Sequence, residues 1–137
     1  MLSSEWRLQI QNETGVAFAA SDTVTINGEP WNLAATTSGE PNYITALNLV
    51  PSTSGNSLAN GAVASGTAQI SNIAIGAHCS ISGSVSTATP AGAINVFFQY
   101  YDTVAGAWPA NGDGELVAVV YLTATGAFGP IPFEIGG

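Results

Sequence analysis

The sequence has no lysine, and its 137 residues include one arginine (Arg7), one histidine (His78) and one cysteine (Cys79). Nine acidic residues against that single cation leave a formal charge of -8. Neutralising phosphate groups takes several Lys or Arg side chains, so this balance argues against a nucleic-acid partner, a polybasic membrane anchor and phosphate-handling chemistry. One cysteine excludes an intramolecular disulfide framework, and a zinc site cannot be assembled from one Cys and one His. No apolar run approaches the ~20 residues of a membrane-spanning helix. The opening Met1–Arg7 lacks the basic and apolar regions of a secretory signal, so none is expected; without a polybasic anchor or a membrane-length apolar run, no membrane partner is expected either. Charged residues make up only 7% of the chain while apolar residues make up 46%, so something other than an ordinary lattice of charges has to cover the surface.

What the sequence does contain is punctuation. Sixteen glycines, seven prolines and clusters of Ser, Thr and Asn separate short alternating segments rich in Val, Ile, Thr and aromatics. That pattern predicts an all-β fold: a single domain over residues 1–137, built as an antiparallel β-sandwich of Ig-like or jelly-roll-like type with roughly eight or nine strands. Trp6, Leu8 and Ile10 alternate with Arg7, Gln9 and Gln11, as a half-buried strand requires. Val24 and Ile26 alternate with Thr23 and Thr25, and the following Asn27-Gly28 pair predicts a tight hairpin with Trp31 and Leu33 on the returning strand. Tyr43 to Val50 reads as strand-like, with a short helical start as the alternative because Tyr43, Leu47 and Val50 also fit helical spacing. Residues 51–66 read as an extended surface loop anchored only by Leu58 and Val63.

Further along, Ile73, Ile75, Cys79, Ile81 and Val85 share inward parity while His78, Ser80, Ser82 and Ser84 fall outward. Ile94, Val96, Phe98 and Tyr100 occupy one face of the next segment, with Asn95, Phe97, Gln99 and Tyr101 on the other. Leu116 to Leu122 is apolar on both faces, with Leu116, Ala118, Val120 and Leu122 on one side and Val117, Val119 and Tyr121 on the other. Such a strand is expected to be covered on both sides, and its second face predicts self-association, as a trimer or ring. Ile131, Phe133 and Ile135 alternate with Pro130, Pro132 and Glu134, and proline places that strand at a sheet edge. The expected core is Trp6, Leu8, Ile10, Val24, Ile26, Ile81, Val85, Val96, Phe98, Val120, Leu122 and Phe133.

Few constellations carry chemistry. His78 and Cys79 are neighbours on one strand and so point to opposite faces, which prevents a Cys–His pair. Asp102, Asp113 and Glu115 bracket a loop that would admit calcium or a carboxylate pair, but Asn-Gly and Asp-Gly steps are ordinary turn chemistry and a solvated turn is the expectation. Asn12-Glu13-Thr14 matches a glycosylation pattern too common to imply use. No enzymatic activity and no cofactor or metal is expected. Trp108, before Pro109, either pins its loop to the sandwich or is presented outward with Tyr101 as a sugar-stacking platform.

Two stretches are also similar to a known group. Trp6–Gly15, together with Val96–Asp102 running through Trp108-Pro109 to Gly112-Asp113-Gly114-Glu115-Leu116-Val117, resembles the small β-rich virion structural proteins of tailed bacteriophages. In these a strand leads into an Asp-containing loop, a Trp-Pro and a Gly-x-Gly before the next strand. The resemblance implies a virion location and a role as a capsid decoration (cement) or tail accessory protein, with a major capsid or tail protein and further copies of itself as partners. It brings no catalytic residues. The residues expected to make partner contacts are an N-terminal arm, Met1, Leu2, Ser3, Ser4 and Glu5, and the strand face Val117, Val119 and Tyr121. The alternative is a carbohydrate-binding module of a tail or fibre using Trp108 and Tyr101.

Overall fold

The computed structural model describes residues 5–32, 42–43, 47–70, 77–88, 90–123 and 125–135, and describes the backbone alone for 30–32, 42, 43, 70, 77, 78 and 133–135. Ten strands are assigned among these: β1 (Glu5–Glu13), β2 (Thr23–Asn32), β3 (Asn42–Tyr43), β4 (Leu47–Val50), β5 (Val63–Ser65), β6 (Gln69–Ile70), β7 (Ala77–Ser86), β8 (Ala93–Tyr100), β9 (Glu115–Tyr121) and β10 (Gly126–Ile135). They form two antiparallel sheets. Sheet A runs β5-β1-β8-β9, with β6 also on β1, and sheet B runs β10-β7-β2-β3, with β4 also on β2. The pieces β5 and β6 take different stretches of β1, and β3 and β4 different stretches of β2, so ten segments fill eight ladder positions. This is the all-β antiparallel sandwich that the alternation predicts.

Parity explains the core. Trp6, Leu8 and Ile10 of β1, Ile94, Val96 and Phe98 of β8, and Ala118, Val120 and Leu122 at β9 face Val24 and Ile26 of β2 and Cys79, Ile81 and Val85 of β7, all buried in one cluster. Trp6 stacks on Phe98 at 5.3 Å between centroids, and Tyr100 meets Phe98 edge-on at 4.8 Å. Eleven of the twelve core residues named from the sequence are buried, and the side chain of the twelfth, Phe133, lies outside the described residues. Leu49, Val50 and Phe18 complete the cluster. The strand Ile131–Ile135 lies at an edge, as its prolines require.

Three expectations need correction. Asn27-Gly28 makes no hairpin: β2 passes straight through it with a register shift against β4, and Gly28 is not in the left-handed region. Glycine is required there for close approach, because a Cβ would collide with Leu49 Cδ1 and lie 3.1 Å from Cys79 Sγ. Trp31 therefore continues β2 itself, and Leu33 lies outside the described residues. The strand reading of Tyr43 to Val50 holds where it is described, at Tyr43 and Leu47–Val50. Second, residues 51–66 lie largely at the surface as expected but are ordered rather than an extended loop, with Gly55 alone fully buried. A 3-10 turn over Ser52–Gly55 buries Gly55 against Val24, Leu58 O accepts from Phe18 N at 2.9 Å, and Val63–Ser65 pairs with β1. Small residues permit that close backbone packing. Third, the β8–β9 register shifts between Val96 and Phe97, and the parity of β9 changes with it. Leu116 is thereby 51% exposed and Val117 packs against the core, the reverse of strict alternation. Ile73, Ile75 and the side chain of His78 lie outside the described residues.

The uncharged surface is visible on sheet B. Thr23, Thr25, Asn27 and Glu29 of β2 stand opposite Ser86, Ser84, Ser82 and Ser80 of β7, a ladder of mostly hydroxyl and amide groups that satisfies water with little charge.

Candidate functional site

The outer face of sheet A is built differently. β1 contributes Arg7, Gln9 and Gln11, and β8 contributes Asn95, Phe97 and Gln99, with Arg7 opposite Gln99, Gln9 opposite Phe97 and Gln11 opposite Asn95. The connection from β8 to β9 leaves the end of the sheet and folds back over this face. Its first part is a closed turn: Asp102 and Ala107 form an isolated bridge, and Asp102 Oδ1 accepts from Val104 N at 2.9 Å and Ala105 N at 3.0 Å. That carboxylate organises its own turn, as the turn reading of this loop predicts. Among the described residues no group of three or more His, Cys, Asp or Glu is placed to hold a metal ion.

Two glutamines hold the returning half of the loop. Gln9 is fully buried: its Nε2 donates to Ser65 Oγ at 2.9 Å and Asn111 Oδ1 at 3.2 Å, and its Oε1 accepts from Gly112 N at 3.1 Å. Gly112, at φ +80°, turns the chain so that its N–H reaches that oxygen. Gln99, 2% exposed, donates from Nε2 to the carbonyls of Ala110 at 2.9 Å and Asp113 at 3.1 Å, and its Oε1 accepts from Arg7 Nε at 3.0 Å. Arg7 then lies 4.3 Å from the centroid of the Trp108 ring, and Tyr101 packs against the same indole at 5.4 Å in a T-shaped contact. Partial desolvation lowers the guanidinium pKa from its ordinary value. The chain's only arginine thus serves as a clamp.

Sequence reasoning missed both glutamines. Their outward parity marks them as solvent-facing, and only the returning loop buries them. Trp108 is half-buried beneath Arg7, so it pins the loop while keeping an exposed margin.

What stays uncovered on this face lies along β9. Leu116 is 51% exposed, Val119 37% and Tyr121 73%, beside half-buried Phe97. Among the described residues of the chain itself, no layer lies over Val119 and Tyr121. Of the expected partner-binding residues, Val119 and Tyr121 share this exposed row, Val117 is turned to the core, Glu5 begins β1 opposite Ile70, and Met1–Ser4 lie outside the described residues.

Elsewhere the chemistry is quiet. Cys79 is fully buried, and desolvation pushes its thiol up to about 12, the opposite of an activated nucleophile. A shallow pocket of about 190 Å³ on sheet B is lined by Asn27, Gly28, Glu29, Ser80, Ser82 and Pro130. Asn12, the first residue of the glycosylation-like triplet, is buried, with Nδ2 donating to Val16 O and Leu58 O, both at 2.9 Å, and Oδ1 accepting from Thr14 N. It is a structural amide. Among the described residues no helix is long and apolar enough to cross a membrane. The class defined by these features is a two-sheet antiparallel β-sandwich with an amide-clamped loop on one face. No protein-family model matches the chain, and no curated protein or solved structure shows significant similarity to it.

Proposed function

We propose that the protein is a non-enzymatic virion structural protein of a tailed phage, a capsid decoration protein that stabilises the head by gripping the capsid lattice. The observation that carries the reading is the apolar row Leu116, Val119 and Tyr121, left exposed on a sheet face whose neighbouring polar groups are tied to one another. A face built this way docks with little desolvation cost, because its amides already have partners. The virion assignment itself rests on the resemblance carried by Trp6–Gly15 and by the Trp108-Pro109 loop. The Met1–Glu5 arm is proposed as a second contact. An acidic exterior with one clamped cation repels DNA, which suits a component of a DNA-filled shell.

Electron microscopy of purified particles tests this directly, with density for the sandwich expected on the outer head surface. Raising salt to about 1 M, where screening lengths fall to ~3 Å, is expected to leave most copies attached. Absence of the protein from particles overturns the reading. The carbohydrate-binding alternative draws on the exposed margin of Trp108 beside Tyr101, but Arg7 already occupies one face of that indole. Glycan binding lost in Trp108→Ala, with the protein absent from heads, would move the assignment there.

A further inference from the structure

Four edges close the two sheets, and three carry a feature that discourages pairing with another chain. β10 has Pro130, Pro132 and a register shift between Phe128 and Ile131. The outer edge of β1 is divided between two short strands, β5 and β6, and that of β2 between β3 and β4. Prolines, bulges and short edge strands are the devices by which sheets blunt their edges. β9 has none of them beyond its register shift: its sequence Glu-Leu-Val-Ala-Val-Val-Tyr is regular from Ala118 onward, without proline or lysine, and no described strand pairs with its far side.

The hydrogen-bond phase says which main-chain groups face that open edge. Leu122 N donates to Gly92 O at 2.9 Å, so Leu122 and Gly92 form a hydrogen-bonded pair across the β8–β9 ladder. Such pairs alternate in antiparallel sheets, so Val120 with Ile94 and Ala118 with Val96 are bonded inward. The N–H and C=O groups of Val119 and Tyr121 therefore point to the open edge. Their side chains are also the exposed apolar ones.

We propose that β9 pairs antiparallel with β9 of a second copy of this chain, about a two-fold axis at Val120. The regular part of the strand, Ala118 to Leu122, is centred on that residue. In this register Val119 of each copy lies opposite Tyr121 of the other, each pair exchanging both main-chain bonds, and Ala118 lies opposite Leu122 on the core side. The register is self-complementary, so the contact is isologous and closes at two copies, in place of the trimer or ring that the apolar strand suggested. Two chains of formal charge -8 would ordinarily repel. Here the nearest carboxylates on the strand, Glu115 of each copy, end up about 34 Å apart at ~3.4 Å per residue, far beyond the ~8 Å screening length. The inference names the self-partner of the exposed face but does not depend on the virion reading, since it concerns the free chain.

The test is sedimentation velocity on the full chain across roughly 1 to 100 µM. A dimer is expected for the unaltered protein. Val119→Lys is expected to raise the dissociation constant at least about tenfold, because the charge sits in both cross-strand pairs. Tyr121→Lys, at the more exposed site, carries the same expectation if Val119→Lys folds poorly. The double variant V119K/Y121E sets Lys opposite Glu twice in this register and is expected to recover the dimer. Monomer throughout the range, a dimer indifferent to both lysine variants, or failure of the charge pair to restore association overturns the pairing. Since no particle is involved, loss of the dimer and loss of head binding are read separately.

Discussion

Replacing Gln99 with leucine removes the centre of the loop clamp while keeping its bulk. The amide of Gln99 makes two close neutral hydrogen bonds to loop carbonyls, at 2.9 and 3.1 Å, with a third, longer one to Pro109 O at 3.5 Å, and accepts one from the charged Arg7 at 3.0 Å. At ~1 kcal/mol for each neutral bond and ~2 for the charge-assisted one, the full loss is about 4 kcal/mol. The loop carbonyls regain water once the loop lifts, so the measured cost should fall between about 2 and 4 kcal/mol. For a chain of this size that corresponds to a Tm lower by roughly 10 °C. Urea denaturation followed by circular dichroism gives the free energy. Amide hydrogen exchange at Gly112, whose N–H is bonded to Gln9 Oε1, reports whether the loop has lifted. A Gln99→Leu protein within about 0.5 kcal/mol of wild type, with Gly112 equally protected, would show that the glutamine is a bystander and that the loop holds itself.

Other perturbations read other parts of the molecule. Trp108→Ala should cost about 1 to 2 kcal/mol in a urea melt, since the indole is only half-buried and loses its contacts with Arg7 and Tyr101; a cost near zero would contradict the clamp. Asn12→Asp sets a carboxylate oxygen against the carbonyls of Val16 and Leu58 and should destabilise by about 3 kcal/mol or more, measured the same way. Cys79 is held protonated to about 12 in the fold against an ordinary value of 9.0. The raised folded pKa means its contribution is complete below pH ~9 and is lost as pH climbs toward 12, by about 4 kcal/mol. Cys79→Ala should flatten that part of the alkaline stability curve, and the native thiol should resist thiol reagents at pH 8.

Strand parity made most of the fold readable, because one face of each strand is covered by the opposite sheet. Trp6, Leu8 and Ile10, or Val96 and Phe98, needed no further information. The reading failed where an effect was not local. In Leu116–Tyr121 every position is apolar, so alternation carries no phase, and the register shift against β8 decides that Leu116 faces out and Val117 in. At Asn27-Gly28 the turn chemistry was real but unused, since the glycine answers to Leu49 and Cys79 across the core. Gln9 and Gln99 sit on the side that parity assigns to water. A usable signal existed there: two glutamines on neighbouring strands beneath a loop long enough, from Asp102 to Gly114, to return over them.

The low charge of the chain and its exposed apolar row have one physical origin. From Pro41 to Tyr101 no Asp, Glu, Lys or Arg occurs, and in sheet A the carboxylates lie at strand ends, as in Glu5, Glu13 and Glu115, or in the connecting loop, as in Asp102 and Asp113. The lone cation is stacked on Trp108 and bonded to Gln99. A partner approaching the middle of sheet A therefore strips water from no ionised group on this chain other than Arg7, which already has partners, and the desolvation penalty that makes charged interfaces costly does not arise. Water is satisfied instead by hydroxyls and amides, as on the Ser and Thr ladder of sheet B. In the docking and pairing proposed above, charge acts at a distance, repelling DNA and mismatched acidic surfaces within a screening length of ~8 Å, while attachment falls to apolar side chains and main-chain bonds that salt does not weaken. A composition poor in charge thus leaves a regular sheet face and an open edge that the proposed partner would cover without stripping water from ions.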